Sequence, residues 1–432
     1  MRYYSTNNPN KPVDLSNAIL RSTAPDGGVY MPLSIPVIPS ALFKNIADMS
    51  LTDIGYVVAT SILGSDIPAA TINDIVKETL NFPIPLRQFG EHTYALELFH
   101  GPTGSFKDIG ARFMAKIVEY LLKSNSIENR KVNVFVATLG DTGVAVANGF
   151  AGIDGVNIYI LQPKGHSPRN SNGALMPQAS NIHTISIRGT FDDCQRLIKE
   201  IYTDAELNRE LTITSANSIN IARLLPQTFF YFHAYARLHE VEEKPGQITM
   251  SCPCGNLGNL TAALFSRQLG LPVERILAAG LDNERLWGEI QSGQLALNSF
   301  NSRALSTNLS RINSLIKANP SIANIIECYT YNDEDIVAQI KHTYNKYSYL
   351  MDRNTALSCR ALEQNLRPGE TGIFLATANP EKYSDRLHSI LGDGINLNTS
   401  TAARTEQQSR TETSLPPLFP AIKRFLLEQN SK

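Results

Sequence analysis

The sequence has no long apolar run, no excess of either charge and no recognisable cysteine pattern. Nothing in it approaches the roughly 18 consecutive apolar residues of a membrane-spanning helix, so no membrane partner is expected. Its 39 Lys plus Arg nearly cancel 40 Asp plus Glu, for a formal net charge of −1, which argues against nucleic acid as a partner. Five cysteines (Cys194, Cys252, Cys254, Cys328 and Cys359) are odd in number and scattered, which suits a reducing compartment. Cys252-Pro253-Cys254 lacks both the CxxC spacing and a second ligand pair, so no metal site is expected there. The opening Met1-Arg2-Tyr3-Tyr4-Ser5-Thr6-Asn7 has no apolar segment of the kind a secretory signal needs, and the expected location is the cytoplasm. No internal repeat is present. What remains is ordinary: 432 residues, 42% apolar and 18% charged, with room for two or three lobes and a large core.

The order of elements says more. Up to about residue 95 the chain is mixed, with a turn at Asp26-Gly27-Gly28, prolines at 32, 36 and 39, and helical periodicity over 54–63 and 71–80. Beyond that point strand, loop and helix alternate. Strands are expected at 94–99, 131–137, 157–161, 182–187, 247–252, 275–279 and 372–377, and helices at 109–122, 144–150, 191–202 and 260–269. Repeated βαβ units imply parallel sheets covered by helices, with ligands at the carboxyl ends of the strands. Residues 393–413 are polar, and an amphipathic helical pattern returns at 419–427.

One residue gains little stability where it stands. In His100-Gly101-Pro102-Thr103-Gly104-Ser105-Phe106-Lys107-Asp108 a turn follows an apolar strand and ends in a single lysine, after which a long helix begins. Held against Phe106, Ile109 and Phe113, that amine has its charged form disfavoured and keeps an unprotonated fraction at neutral pH, which a Schiff-base lysine requires. A solvated lysine beside a helix start, with Asp108 favouring the helix dipole, would read the same way locally.

Three further segments end a strand and open a helix. Gly255-Asn256-Leu257-Gly258-Asn259 can present several backbone N–H groups to one anion, with a favourable helix dipole behind them. It is neither a Walker A loop nor a GxGxxG fingerprint, and a tight glycine turn is the plain alternative. Thr138-Leu139-Gly140-Asp141-Thr142-Gly143 and Thr214-Ser215-Ala216-Asn217-Ser218-Ile219-Asn220 are similar in character, either anion-binding loops or helix caps.

Taken together these segments resemble the threonine synthases, pyridoxal-phosphate enzymes of fold type II. The lysine segment 100–108 resembles that family's cofactor-lysine motif. Tyr4-Ser5-Thr6 and Asp26-Gly27-Gly28-Val29-Tyr30-Met31-Pro32 resemble its opening, and Gly189-Thr190-Phe191-Asp192-Asp193-Cys194 is also familial. Gly140–Gly143, Ser215–Asn220 and Gly255–Asn259 resemble its second loop, third loop and phosphate cup. The resemblance implies an α/β fold of the tryptophan synthase β type, two open twisted parallel-sheet lobes with an N-terminal extra lobe. The expected division is 1–95 for the N-terminal lobe, 96–129 with 206–392 for the large cofactor-binding domain, 130–205 for an inserted small domain, and 393–432 for a polar linker and C-terminal helix.

By the same resemblance Lys107 carries pyridoxal 5'-phosphate as a Schiff base and serves as acid and base. Gly255, Asn256, Leu257, Gly258 and Asn259 hold its phosphate. Asp141 reaches its phenolic oxygen or the substrate carboxylate, and the Thr377 hydroxyl bonds the pyridine nitrogen, leaving it unprotonated. Thr138, Gly140, Thr142, Ser215, Asn217, Ser218 and Asn220 are the implied substrate contacts. The implied reaction is a lyase reaction converting O-phosphohomoserine and water to threonine and phosphate, by a monomer or homodimer acting on a small phosphorylated amino acid.

Departures from the family cluster on the substrate side. Leu139 stands where relatives have Ser, Arg169-Asn170-Ser171-Asn172 follows Ser167-Pro168, and 301–308 is hard to match to the family's usual block. Asp352-Arg353-Asn354-Thr355-Ala356 and Ala376-Thr377-Ala378-Asn379-Pro380 have Asn where the family has His, and asparagine carries no proton in the range where histidine does. Leu257 replaces an aromatic. Arg169, Arg303 and Arg353 are new cations, each able to meet a phosphate or carboxylate and each equally readable as a solvated surface residue. Two alternatives therefore stand beside the first reading: a divergent pyridoxal-phosphate enzyme eliminating or replacing at Cβ or Cγ of another amino acid, and a non-catalytic cofactor-binding paralogue.

Overall fold

The computed structural model describes residues 1–124, 131–165, 177, 179–281, 288–290, 303–392, 394–395 and 413–430. The chain opens with a small antiparallel sheet in which β1 (Tyr3–Ser5) lies between β2 (Asn8–Val13) and β3 (Tyr30–Pro32). Gly27 takes the left-handed φ of +81° that its turn requires, and Asp26 Oδ1 accepts from Ser5 Oγ (2.6 Å) and from the Gly28 N–H (2.9 Å). The helices Leu51–Leu63 and Ala69–Thr79 follow. The first is started by a capping box between Ser50 and Asp53, which satisfies N–H groups that no helical carbonyl reaches. Their inward faces (Ile54, Val58, Ile62; Ile72, Ile75, Val76) are buried in the main apolar cluster, which runs on into the rest of the molecule.

A six-stranded sheet comes next, in the order β12-β11-β10-β13-β5-β4. Here β4 is Leu86–Gly90, β5 Thr93–Glu97, β10 Gln247–Pro253, β11 Arg275–Leu281, β12 Ile326–Tyr331 and β13 Glu370–Ala376. All pairings are parallel except that of the edge strand β4 with β5. Helices cover such a sheet on both faces, and its strands accordingly read as apolar runs rather than as alternations; every residue of β13 is buried.

A second sheet of five strands has the order β14-β8-β7-β6-β9, with β6 Val132–Ala137, β7 Val156–Pro163, β8 Ile182–Ile187, β9 Thr212–Ser215 and β14 Thr413–Leu415, all parallel. Its own cluster joins Phe135, Tyr159 and Ile185 to Leu197, Ile201, Ile422 and Leu426. Two features lie outside the division expected from sequence. The strand β9 falls after residue 205 yet is the edge neighbour of β6. The C-terminal helix Phe419–Asn430, expected together with a polar linker as a segment of its own, buries Ile422 and Leu426 in this cluster, and β14 pairs with β8. Both strands are short and their partners distant in sequence, so local pattern does not show them. Most of the polar stretch 393–413 lies outside the described residues, as do 301 and 302. No described helix is long and apolar enough to cross a membrane.

Candidate active site

Sheet order decides what meets at the cleft. Strands β10, β13 and β5 are consecutive neighbours, so the segments leaving their carboxyl ends are neighbours too: Cys254–Asn259, Thr377–Asn379 and 98–107. In the other sheet β6 and β9 are adjacent, which sets Thr138–Gly143 beside 216–220. The lysine segment is stitched to the exit of β13 by backbone bonds from Leu98 N to Ala376 O (2.9 Å), Phe106 N to Thr377 O (3.0 Å) and Asn379 N to Gly104 O (2.9 Å). Gly104 takes φ +64° in that turn. Asp108, buried, accepts from Thr103 N–H (2.9 Å) and Thr103 Oγ1 (2.6 Å), which closes the loop just ahead of the helix Lys107–Lys123.

Lys107 is partly covered at the start of that helix, among several charged groups. Loss of hydration lowers its pKa, Asp141 opposes that, Lys382 and Arg223 reinforce it, and Asp352 opposes it again; the net direction is down. Asp141 begins the helix Asp141–Phe150. Burial alone would raise its carboxyl, but Lys107, Lys382 and Tyr383 hold it below the usual range. Lys382, 1% exposed, sets its Nζ 2.5 Å from Asp141 Oδ1 and 2.8 Å from the Thr103 carbonyl, and Tyr383 OH donates to Asp141 Oδ2 (3.2 Å). Arg223 supports Lys107 from behind, with Nη1 3.3 Å from its carbonyl oxygen. Asp352, whose carboxyl burial pushes up, caps the helix Arg353–Asn365 through the Asn354 and Thr355 N–H groups.

The loop after β10 is open on one side. A Cβ added at Gly255 would meet nothing within 4 Å, and among the described residues no neighbour uses the N–H groups of Gly255, Asn256 or Leu257. Leu257 is buried in the left-handed region, at φ +62°. A non-glycine residue there costs of order 1 kcal/mol or more, and the conformation turns the loop into the start of the helix Gly258–Gln268. Asn256 Oδ1 accepts from Gly258 N–H (3.1 Å). Asn259 is buried, and its Oδ1 has no partner among the described residues. Thr377, 2% exposed, is fixed by its N–H to Thr355 Oγ1 (3.1 Å), while its own Oγ1 is buried without a partner among the described residues.

The remaining sequence-predicted residues divide by what occupies them. Thr138 Oγ1 accepts from the N–H groups of Gly140 (3.0 Å) and Gly143 (3.2 Å) and so shapes its own loop. Gly140 has open space above it, and Thr142 is partly exposed. Ser215 Oγ accepts from Asn217 N–H (3.2 Å), and Ser218 Oγ receives Asn256 Nδ2 (3.1 Å) and Asn308 Nδ2 (3.0 Å). Asn220 is turned inward: its Nδ2 donates to Ile19 O (2.8 Å) and Thr214 Oγ1 (3.1 Å), and its Oδ1 caps Ala222 N–H (3.0 Å).

Of the new cations, Arg353 donates to Asp333 at 2.6 Å on the outside of its helix, and Arg169 and the side chain of Arg303 lie outside what is described. Asn379, in a familial histidine position, caps the turn Pro380–Tyr383 through Glu381 N–H (2.9 Å). Leu139 is half exposed.

Sequence reasoning missed Lys382, Tyr383, Asn308 and Arg311. Arg311 is fully buried, with no carboxylate partner among the described residues, and donates to the carbonyls of Tyr30 (3.3 Å), Ser218 (2.7 Å) and Ile219 and to Asn308 Oδ1 (3.0 Å). No local signal marks these residues. Asp352 did carry one, the Asp-x-x-Thr spacing of a helix cap.

Comparison with known proteins bears on the whole chain. The family model described as "Pyridoxal-phosphate dependent enzyme" matches residues 79–377, and that described as "Threonine synthase N terminus" matches residues 2–80. The threonine synthase of Haemophilus influenzae is 34% identical over 99% of this chain and 100% of that protein, and that of Escherichia coli 31% over 99% of each. The crystal structure of the Escherichia coli threonine synthase superposes with a TM-score of 0.86 at 30% identity, covering 99% of this chain and all of that one. The pyridoxal-phosphate-bound threonine synthase of Brucella melitensis gives 0.85 at 26%, with both chains fully covered.

Proposed function

The chain belongs to the threonine synthase family of pyridoxal-phosphate-dependent enzymes, and from that premise we infer how its own residues carry the reaction. Its function is pyridoxal-phosphate-dependent threonine synthesis, a lyase reaction in which O-phosphohomoserine and water give threonine and phosphate. Three observations suit the cofactor. Gly255 opens on free space beside unused N–H groups, Thr377 Oγ1 is buried without a partner, and Lys107 has its charge disfavoured.

When bound, pyridoxal phosphate supplies an electron sink for carbanions formed along the substrate chain. The rest falls to the protein. Gly255, Asn256, Leu257, Gly258 and Asn259 grip the phosphate ester through backbone N–H groups and the helix dipole. Thr377 Oγ1, buried and without a partner among the described residues, would donate to the ring nitrogen. Lys107 Nζ would hold the aldehyde end of the cofactor, and its amine would move protons at Cα, Cβ and Cγ of the substrate. Gly140, Thr142, Asn217 and Ser218 border the substrate's carboxylate and phosphate, while Thr138, Ser215 and Asn220 hold the two loops in shape. Asp141 faces Lys107 from the second sheet, so approach of the two sheets shelters the site from water.

The reading treats the two large sheets as separate lobes with the N-terminal region as a third, acting as a monomer or homodimer in the cytoplasm. The near-zero net charge and the scattered cysteines support it. The observation that carries the functional reading is the convergence of β5, β13 and β10 exits on one amine. It is tested by incubating the purified protein with O-phosphohomoserine. Phosphate and threonine should appear in equal amounts, and the yellow colour and both products should vanish in Lys107→Ala. Phosphate release without threonine would contradict it.

A further inference from the structure

Lys382 is a buried cation that the mechanism leaves unused. Lys382 is 1% exposed, follows Thr377 by five residues, and is delivered into the site by the short turn Pro380–Tyr383 that Asn379 caps. Taking an ammonium group out of water costs several kcal/mol unless a partner recovers it. The partner is Asp141, 2.5 Å away, and a second donor goes to the Thr103 carbonyl at 2.8 Å. Tyr383, the next residue, donates to the other Asp141 oxygen at 3.2 Å. Both oxygens of a carboxylate on the five-stranded side of the cleft are thus held by residues on the six-stranded side.

The titratable groups around this site are Lys107 and Arg223, Asp352 and Asp108, and the neutral Tyr383 phenol. Asp141 is the carboxylate that acts most strongly on Lys107, and left bare it would draw a proton onto that nitrogen. With Lys382 against it, Asp141 is shared between two cations, and Lys107 also meets a second positive charge.

We propose that Lys382 is a positioning residue of the site: by holding Asp141 across the cleft it denies Lys107 an undivided ion-pair partner and lowers the pH at which the Lys107 nitrogen gives up its proton. This rests on the reading of Lys107 as the cofactor lysine. The same contact ties the start of the helix Asp141–Phe150 to the exit of β13, so it is made only when the two sheets are close.

The test is a pH titration of the visible absorbance of the cofactor-loaded protein. In Lys382→Met the midpoint should rise by about one pH unit or more, because Asp141 then pairs with the Lys107 nitrogen. Lys382→Arg should restore the midpoint to near that of the unaltered protein, and Asp141→Asn should lower it. The double variant K382M/D141N removes both charges together, leaves no lone buried ion, and should titrate close to the unaltered protein even if K382M alone folds poorly. A midpoint unmoved in K382M, or a double variant displaced as far as K382M, overturns the assignment while leaving the cofactor site standing. An unaltered protein with no visible band overturns both.

Discussion

A hydroxyl sealed from water without a partner destabilises a protein by about 1–3 kcal/mol, and Thr377 Oγ1 is such a hydroxyl, fixed at the exit of β13. The near-isosteric Thr377→Val removes the penalty along with the donor. The cofactor-free variant should melt at the same temperature as the unaltered protein or higher, while affinity for pyridoxal phosphate falls roughly tenfold for one lost hydrogen bond. Thermal melts and equilibrium cofactor titration check the two halves, and a lower melting temperature with unchanged affinity would contradict the role. Legibility at this scale follows how local the signal is. Lys107 and the 255–259 loop announce themselves because turn glycines, a helix start and the functional group lie within a few residues. Lys382 gives no such warning, since Pro-Glu-Lys-Tyr reads as a surface turn. It becomes a buried ion only because β13 and β5 are neighbours and the helix after β6 delivers Asp141 to it.

Among the elements, the helix Gln227–Val241 packs nearly all round and buries His233 (5% exposed) with Nε2 2.9 Å from the Ile84 carbonyl and Nδ1 without a partner. Burial lowers its pKa from 6.5 to about 4, the Ile84 hydrogen bond partly offsetting this and nearby Arg237 adding to it. The unfolded chain therefore takes up a proton that the folded chain refuses, and stability is full above pH 6.5 and falls as pH drops towards 4. The loss should reach about 2 kcal/mol between roughly pH 7 and pH 5. In His233→Gln, which keeps a donor for Ile84, that part of the acid limb should flatten; urea unfolding at the two pH values measures it, and an unchanged limb would place the acid sensitivity elsewhere. The elements that local pattern anticipates are those rich in β-branched and apolar residues, such as 131–137, 182–187 and 275–279. The four-residue β9 and three-residue β14 carry too few side chains to show a period, and only pairing with β6 and β8 makes them strands.

At the scale of the molecule, the parallel architecture was legible from the βαβ rhythm, and its family from spaced motifs. Where the strands lie relative to one another was not. The order β10-β13-β5 joins residues more than 270 apart at one cleft, and no local rule gives that order. The substrate-side departures also read differently in place: Asn379 is a helix cap, Arg353 an outward ion pair, and Asn308 a bond to the Asn256 carbonyl at 2.8 Å. The account stands on one amine out of all those in the chain, with the buried Lys382 of the same site to serve as a control. Reducing the cofactor-loaded protein with borohydride, digesting it and locating the pyridoxyl phosphate by mass spectrometry tests this most directly. The adduct is predicted on the peptide containing Lys107, and an adduct on the peptide containing Lys382, or on any other lysine, would contradict it.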